Sequence, residues 1–224
     1  MNPRYQERLD QFINQVTLYP VSGEKHCCGR SDRQWLEAVL AGGARIVQLR
    51  DKEASGRALF EKALLFRELT RRAGALFIVN DRLDIALLSD ADGVHLGNDD
   101  VPAQEARRLA PDLLIGVSCN TEEQAKSAAE RGASYYNIGP IFPTATKEEP
   151  RKVLGVDAIE RFSRLSPLPF TVMGGIKKEH IPLLTSRGAQ RIAVVTALTK
   201  AEDIEAETRE WIASIRRSIE EKRR

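Results

Sequence analysis

No stretch of the chain stays apolar for the roughly 18 residues that a membrane span needs, so no partnership with a bilayer is expected. The first ten residues, 1–10, are polar and lack the hydrophobic region of a signal peptide. A cytoplasmic protein is expected. Cysteine is scarce: there are 3, of which Cys27 and Cys28 are adjacent and Cys119 lies far away. An odd count with one adjacent pair is not a disulfide framework. His26-Cys27-Cys28 has no partner pair at ligand spacing, so a Cys/His metal centre is not expected. Cys119 reads as a small buried residue rather than a nucleophile. With 3 histidines in all, no Ser/His/Asp or Cys/His arrangement suggests itself. Excess charge is missing too. Lys+Arg number 34 and Asp+Glu 32, a net charge of +2. That balance excludes a nucleic-acid footprint built on bulk charge, and any anion site must be local. No Gly-x-Gly-x-x-Gly run follows the first apolar stretch, which weakens a dinucleotide-binding reading.

What the sequence does contain is a repeating alternation of apolar runs and amphipathic stretches. Residues 3–13 read as a short helix with Leu9, Phe12 and Ile13 on one side. Strands are expected at 17–21, 45–49, 76–79, 93–96, 113–117, 135–138, 170–173 and 191–195. Leu76-Phe77-Ile78-Val79 is apolar throughout, as suits a parallel strand covered on both faces. Helices are expected between the strands. One runs over 33–41, capped by Asp32 and stopped by Gly42-Gly43. One starts at Ser55, with Leu59, Ala63, Phe66 and Leu69 at helical spacing. Others lie near 83–88, over 102–109, and from Thr121 to Gly132, where Thr121 and Gln124 have capping-box spacing. The last three cover 156–165, 178–186 and 202–219. Such alternation implies parallel βαβ units. Eight units within 224 residues imply a closed (β/α)8 TIM barrel, a single domain over 1–224 with a short N-terminal helix. Its active site would sit at the C-terminal ends of the strands. An open doubly wound sheet is the alternative.

Chemistry gathers just after those strands. Gln48-Leu49-Arg50-Asp51-Lys52 leaves the second, and strand alternation points Gln48, Arg50 and Lys52 one way and Leu49 the other. Two cations and an amide on one face suit an anion better than a core. Asn80-Asp81 follows the third strand and Gly97-Asn98-Asp99-Asp100 the fourth. Asp81 and Asp100 leave adjacent strands and could converge on one ion, Mg²⁺ being a cation that takes one or two carboxylates plus waters and phosphate oxygens. Each could instead cap the helix that follows. Ser118 follows the fifth strand, and the loop 139–155 after the sixth carries Thr144, Thr146 and Lys147, which could close over a ligand. Gly174-Gly175 and Val195-Thr196, after the seventh and eighth, lie where this fold usually cradles phosphate. His95, inside a strand, reads as a hydrogen-bonded barrel residue rather than a catalyst.

These residues, in this order, resemble the thiamine-phosphate synthase family over 18–198. The most specific pieces are Gln48 through Lys52, Asn80-Asp81-Arg82, Ala91 through Gly97, Gly116-Val117-Ser118 and Gly139 through Lys147. The resemblance implies a Mg²⁺-dependent transferase acting on small molecules. It would join hydroxymethylpyrimidine diphosphate to a thiazole phosphate, plain or carboxylated, and release diphosphate by dissociative substitution. It implies that Gln48, Arg50, Lys52, Asn80, Ser118 and Lys147 hold the pyrimidine diphosphate. Asp81 and Asp100 would hold Mg²⁺, and Thr144, Thr146, Gly175, Val195 and Thr196 would meet the thiazole phosphate. Arg50, Lys52, Lys147 and Ser118 would carry the chemistry by stabilising the leaving group. The sequence departs from the pattern at Asn98, where Gln is usual, at Asn120, where His is usual, at Thr196 for Ser, and at Met173. Rival readings are the related thiazole tautomerase, a catalytically silent phosphate-ligand barrel and an unrelated sugar-phosphate isomerase. The tautomerase uses a His at the position of Asn120 and lacks the second metal carboxylate, so Asn120 and Asp100 both favour the synthase. Whether the chain forms a homo-oligomer is left open by the sequence.

Overall fold

Eight short parallel strands wrap into one sheet with helices outside it. The computed structural model describes residues 2–23, 28–144 and 152–223. The strands are β1 (Leu18–Pro20), β2 (Ile46–Leu49), β3 (Leu76–Asn80), β4 (Gly93–Leu96), β5 (Leu114–Cys119), β6 (Tyr135–Ile138), β7 (Phe170–Val172) and β8 (Ile192–Val194). They pair in the order β1-β8-β7-β6-β5-β4-β3-β2. The ring closes between β1 and β2 through a parallel bridge from Val21 to Gln48 and a 2.9 Å bond from Ser22 N–H to the Gln48 carbonyl. The expected (β/α)8 barrel is therefore the observed fold.

Alternation along each strand divides the core in two. Ile46, Leu76, Ile78, Leu114, Tyr135 and Ala193 pack inside the barrel, while Val47, Leu49, Phe77, Val79, Ile115 and Tyr136 face the helices. The helix α1 (Pro3–Gln15) closes the bottom. Its Phe12 is fully buried, with its ring 4.5 Å from that of Tyr135. Arg8 anchors the same helix through ion pairs to Asp92 at 3.2 Å and Asp112 at 3.1 Å. Below the barrel, then, packing and charge seal the floor. The open end is the other one.

The remaining helices are α2 (Asp32–Ala41), α3 (Gly56–Ala73), α4 (Leu83–Leu88), α5 (Ala103–Leu109), α6 (Glu122–Ser127), α7 (Asp157–Ser163), α8 (Ile181–Ser186), α9 (Thr196–Thr199) and α10 (Ile204–Arg223). Three expectations are corrected. Ser31, not Asp32, caps α2, because Ser31 and Gln34 satisfy each other's backbone N–H groups in a capping box. Asp32 is left to meet Lys62 at 3.2 Å. The helix begun by Thr121 ends at Ser127 rather than Gly132, since bonds such as Ala128 N–H to the Ala125 carbonyl, at 3.3 Å, tighten the chain out of α geometry. Residues 178–186 form a 3₁₀ turn (Lys178–His180) before α8 rather than one helix. The four-residue α9 is a helix that periodicity did not reveal. No helix among the described residues is long and apolar enough to cross a membrane.

Candidate active site

A cavity of about 870 Å³ opens at the C-terminal ends of the strands, within the size range of small-molecule sites. Of the residues singled out in the sequence, Gln48, Arg50, Lys52, Asn80, Asp81, Asp100, Ser118, Thr144, Gly175, Val195 and Thr196 all line it. Thr146 and Lys147 lie outside the described residues, as do His26 and Cys27. Cys119 is buried and burial pushes its thiol up to about 12, which leaves it an inert core residue as expected.

The β2 exit behaves as its alternation requires. Gln48, Arg50 and Lys52 face the cavity while Leu49 is buried against the helices. The loop is held from behind by Asp51. One carboxylate oxygen accepts from the N–H groups of Glu53 and Ala54, both at 3.0 Å, and the other meets Lys62 of α3 at 2.7 Å. The Asp51 side chain is only 4% exposed, so the ion pair is the counterpart of its burial. Lys62→Met is expected to lower stability by about 2 kcal/mol, because Asp51 and Asp32 would both lose a cation. Urea unfolding with an unchanged m-value is the measurement that checks it.

Asp81 and Asp100 meet although 19 positions separate them, because β3 and β4 are neighbours in the barrel. Asp81 lies in the left-handed region at φ 64, where Asp is tolerated better than most residues. Its oxygen is 3.3 Å from the Lys52 ammonium. Asp100 accepts from Gly97 N–H at 2.7 Å. Burial first, then the adjoining Asp81 carboxyl, hold Asp100 above the ordinary carboxylate range, against the pull of the Gly97 N–H and of Lys52. Neither acid caps a helix: the residues at the starts of α4 and α5 are Arg82 and Pro102, and neither makes a side-chain cap. Two carboxyl groups that crowd one another beside solvent form a donor set suited to a hard divalent cation. No group of three or more His, Cys, Asp or Glu suited to a metal occurs among the described residues.

On the opposite wall, Gly174 and Gly175 have φ of 105 and 60. A Cβ at Gly175 would fall 2.3 Å from the Pro143 carbonyl oxygen, and one at Gly174 would fall 2.5 Å from Pro140 Cβ. Both glycines are therefore required twice, by conformation and by the close approach of the β6 loop. The departures at Asn98 and Asn120 turn out to be partners. Asn98 Nδ2 donates to Asn120 Oδ1 at 3.1 Å, and Asn120 Nδ2 donates to the Gly139 carbonyl.

The floor holds residues that the sequence reading missed. Tyr19, on β1, lines the cavity and bonds both Gln48 and Tyr135. His95 lies between Tyr135 and Ser118, so its reading as a hydrogen-bonded barrel residue holds, though it also lines the cavity. Asn137 and Thr171 form a further inward pair at 2.9 Å. The available signal was parity: Tyr135 and Asn137 share the inward face of one strand.

Comparison with known proteins gives the family and the fold. The family model described as thiamine monophosphate synthase matches residues 18–198. A thiamine-phosphate synthase of Pelotomaculum thermopropionicum is 41% identical over 204 residues, 91% of this chain and 94% of its own. One from Chloroflexus aurantiacus is 44% identical over 198 residues, 88% and 92%. Among solved structures, the thiamine phosphate pyrophosphorylase of Pyrococcus furiosus superposes with a TM-score of 0.83 at 34% identity, covering 93% of this chain and 97% of its own. A 3-hexulose-6-phosphate synthase, at 17% identity and a TM-score of 0.64 over 89% of this chain and all of its own, shares the fold alone. The chain belongs to the thiamine monophosphate synthase family.

Proposed function

We propose that this family member couples 4-amino-2-methyl-5-hydroxymethylpyrimidine diphosphate with 4-methyl-5-(2-phosphoethyl)thiazole, plain or carboxylated, giving thiamine phosphate and diphosphate. In this reading Asp81 and Asp100 hold Mg²⁺. Gln48, Arg50, Lys52, Asn80, Ser118 and Lys147 hold the pyrimidine diphosphate. Thr144, Thr146, Gly175, Val195 and Thr196 receive the thiazole phosphate. The observation that carries the reading is the meeting of Asp81, Asp100 and Lys52 at one mouth, with Arg50 on the same wall.

Charge decides why such a mouth needs a cation. The formal charges of Arg50 and Lys52 cancel those of Asp81 and Asp100, so of the side chains assigned to the diphosphate only Lys147 would add net attraction for it. Bound there, Mg²⁺ would supply Lewis-acid neutralisation of the departing phosphate oxygens. Arg50 would grip the diphosphate with parallel N–H bonds, and Lys52 and Lys147 would add point charges as the bond to the pyrimidine CH₂ lengthens. The thiazole nitrogen is nucleophilic already, so no protein base is demanded. Placing the two substrates face to face removes the entropic cost of their encounter, on the order of 7–11 kcal/mol at best.

The test is direct. Both substrates are mixed with the purified chain and Mg²⁺, and thiamine phosphate is measured. Product is expected, and EDTA is expected to stop it. Thiazole tautomerisation without coupling would make the chain an isomerase, and phosphate-ligand binding without turnover would make it a silent barrel.

A further inference from the structure

Ser118 is linked to Gln48, across the cavity floor, by an unbroken chain of hydrogen bonds. Gln48 Nε2 donates to the Tyr19 hydroxyl at 3.0 Å. The Tyr19 and Tyr135 hydroxyls lie 2.9 Å apart. The Tyr135 hydroxyl is 3.3 Å from His95 Nδ1, and His95 Nε2 is 3.1 Å from Ser118 Oγ. Such a chain has a direction, and one member sets it. An amide nitrogen can only donate. Tyr19 accepts that bond and turns its own O–H on Tyr135, which turns its O–H on Nδ1. A neutral imidazole that accepts at Nδ1 carries its proton on Nε2. That proton goes to Ser118 Oγ, and the hydrogen of the Ser118 hydroxyl is left for the cavity.

We propose that Tyr135 is a positioning residue: it holds His95 in the Nε2–H tautomer and thereby turns the Ser118 hydroxyl outward as a donor to an oxygen of the pyrimidine diphosphate. The proposal rests on the functional reading above for the ligand, though not for the tautomer.

Three observations support a relay that is built rather than incidental. A Cβ at Gly116 would lie 2.2 Å from Tyr135 Cζ and 2.5 Å from His95 Nδ1. Side-chain space is therefore absent at the one place where the Tyr135–His95 bond is made. Phe12 of α1 supports the Tyr135 ring from below at 4.5 Å. Burial pushes both phenols far above their usual value, so each remains an O–H donor.

The relay reverses if an acceptor replaces the donor at its head. Long-range ¹H–¹⁵N correlation spectra of the ligand-free full chain, labelled at histidine, report the tautomer directly. They are recorded at about pH 8, above the ordinary histidine value, and His95→Gln assigns the signal. The wild type is expected to show the Nε2–H pattern, and Gln48→Glu the Nδ1–H pattern. Tyr135→Phe is expected to lose the single tautomer. It should also raise KM for the pyrimidine diphosphate about tenfold while KM for the thiazole phosphate moves less than about twofold. An Nδ1–H wild type, an unchanged tautomer in Gln48→Glu, or a Tyr135→Phe enzyme with wild-type KM would each overturn the proposal. Should Tyr135→Phe not fold, the wild type and Gln48→Glu decide between them. A wild type that fails to couple the substrates yet shows the expected tautomers removes the functional reading and leaves the assignment of the relay standing.

Discussion

Asp81→Asn and Asp100→Ala are each expected to lower Mg²⁺-dependent formation of thiamine phosphate by about 10³-fold or more while leaving the barrel folded. The magnitude follows from the several kcal/mol that a bound cation contributes to neutralising a leaving diphosphate, at about 1.4 kcal/mol per factor of ten. Asn is the informative change at Asp81, because it also tolerates the left-handed backbone at φ 64. Ala there would confuse lost charge with added strain. At Asp100 the bond to Gly97 N–H is lost as well, at a cost of about 1 kcal/mol of stability. Thermal unfolding should therefore show Asp81→Asn close to wild type and Asp100→Ala slightly lower. Raising the Mg²⁺ concentration should recover part of the activity if one carboxylate remains. Full activity of either variant, or of the wild type in EDTA, would remove the metal from the mechanism.

Arg50→Ala is expected to raise KM for the pyrimidine diphosphate by roughly 10²-fold, with a smaller fall in kcat. The figure corresponds to losing a bidentate pair of charge-assisted bonds worth about 1.5–3 kcal/mol each before the remaining cations compensate. Arg50 is singled out over Lys52 because Lys52 is 3.3 Å from Asp81 and 59% exposed. Part of its charge is spent on the carboxylate, and the rest is screened by water. No described carboxylate is ion-paired with Arg50, whose backbone N–H is fixed instead by Ser22 Oγ at 2.8 Å. Steady-state kinetics with each substrate varied in turn is the check. A change confined to the thiazole phosphate would place Arg50 on the wrong half of the site. Arg50→Lys should restore only a fraction, since a point charge cannot reproduce the planar fork.

The order of strands and helices was legible because apolar periodicity is local. Leu76 through Val79 are apolar throughout and are buried on both faces, as a parallel strand under helices requires, and the alternation with helical stretches gave that reading its weight. The same parity put Gln48, Arg50 and Lys52 on one side before any neighbour was known. Helix ends were less legible. Ser31 and Asp32 are both acceptable caps, and the choice fell to Ser31 because Gln34 could return the bond. For Asp81 and Asp100, capping and ion binding were open on the sequence. The left-handed turn at Asp81 and the loop closed by Asp100 onto Gly97 placed both at the mouth instead.

Composition and periodicity by themselves determined eight parallel strands alternating with helices and which side chains leave each strand on its inner face, since both depend on spacing along one chain. The open doubly wound sheet was excluded only where β1 met β2. Which of those side chains meet was settled only by tertiary structure. Register around the ring brings Tyr19, Gln48, His95, Ser118 and Tyr135 from five strands to one floor. Distances between strands are a property of the closed sheet, and no local pattern records them.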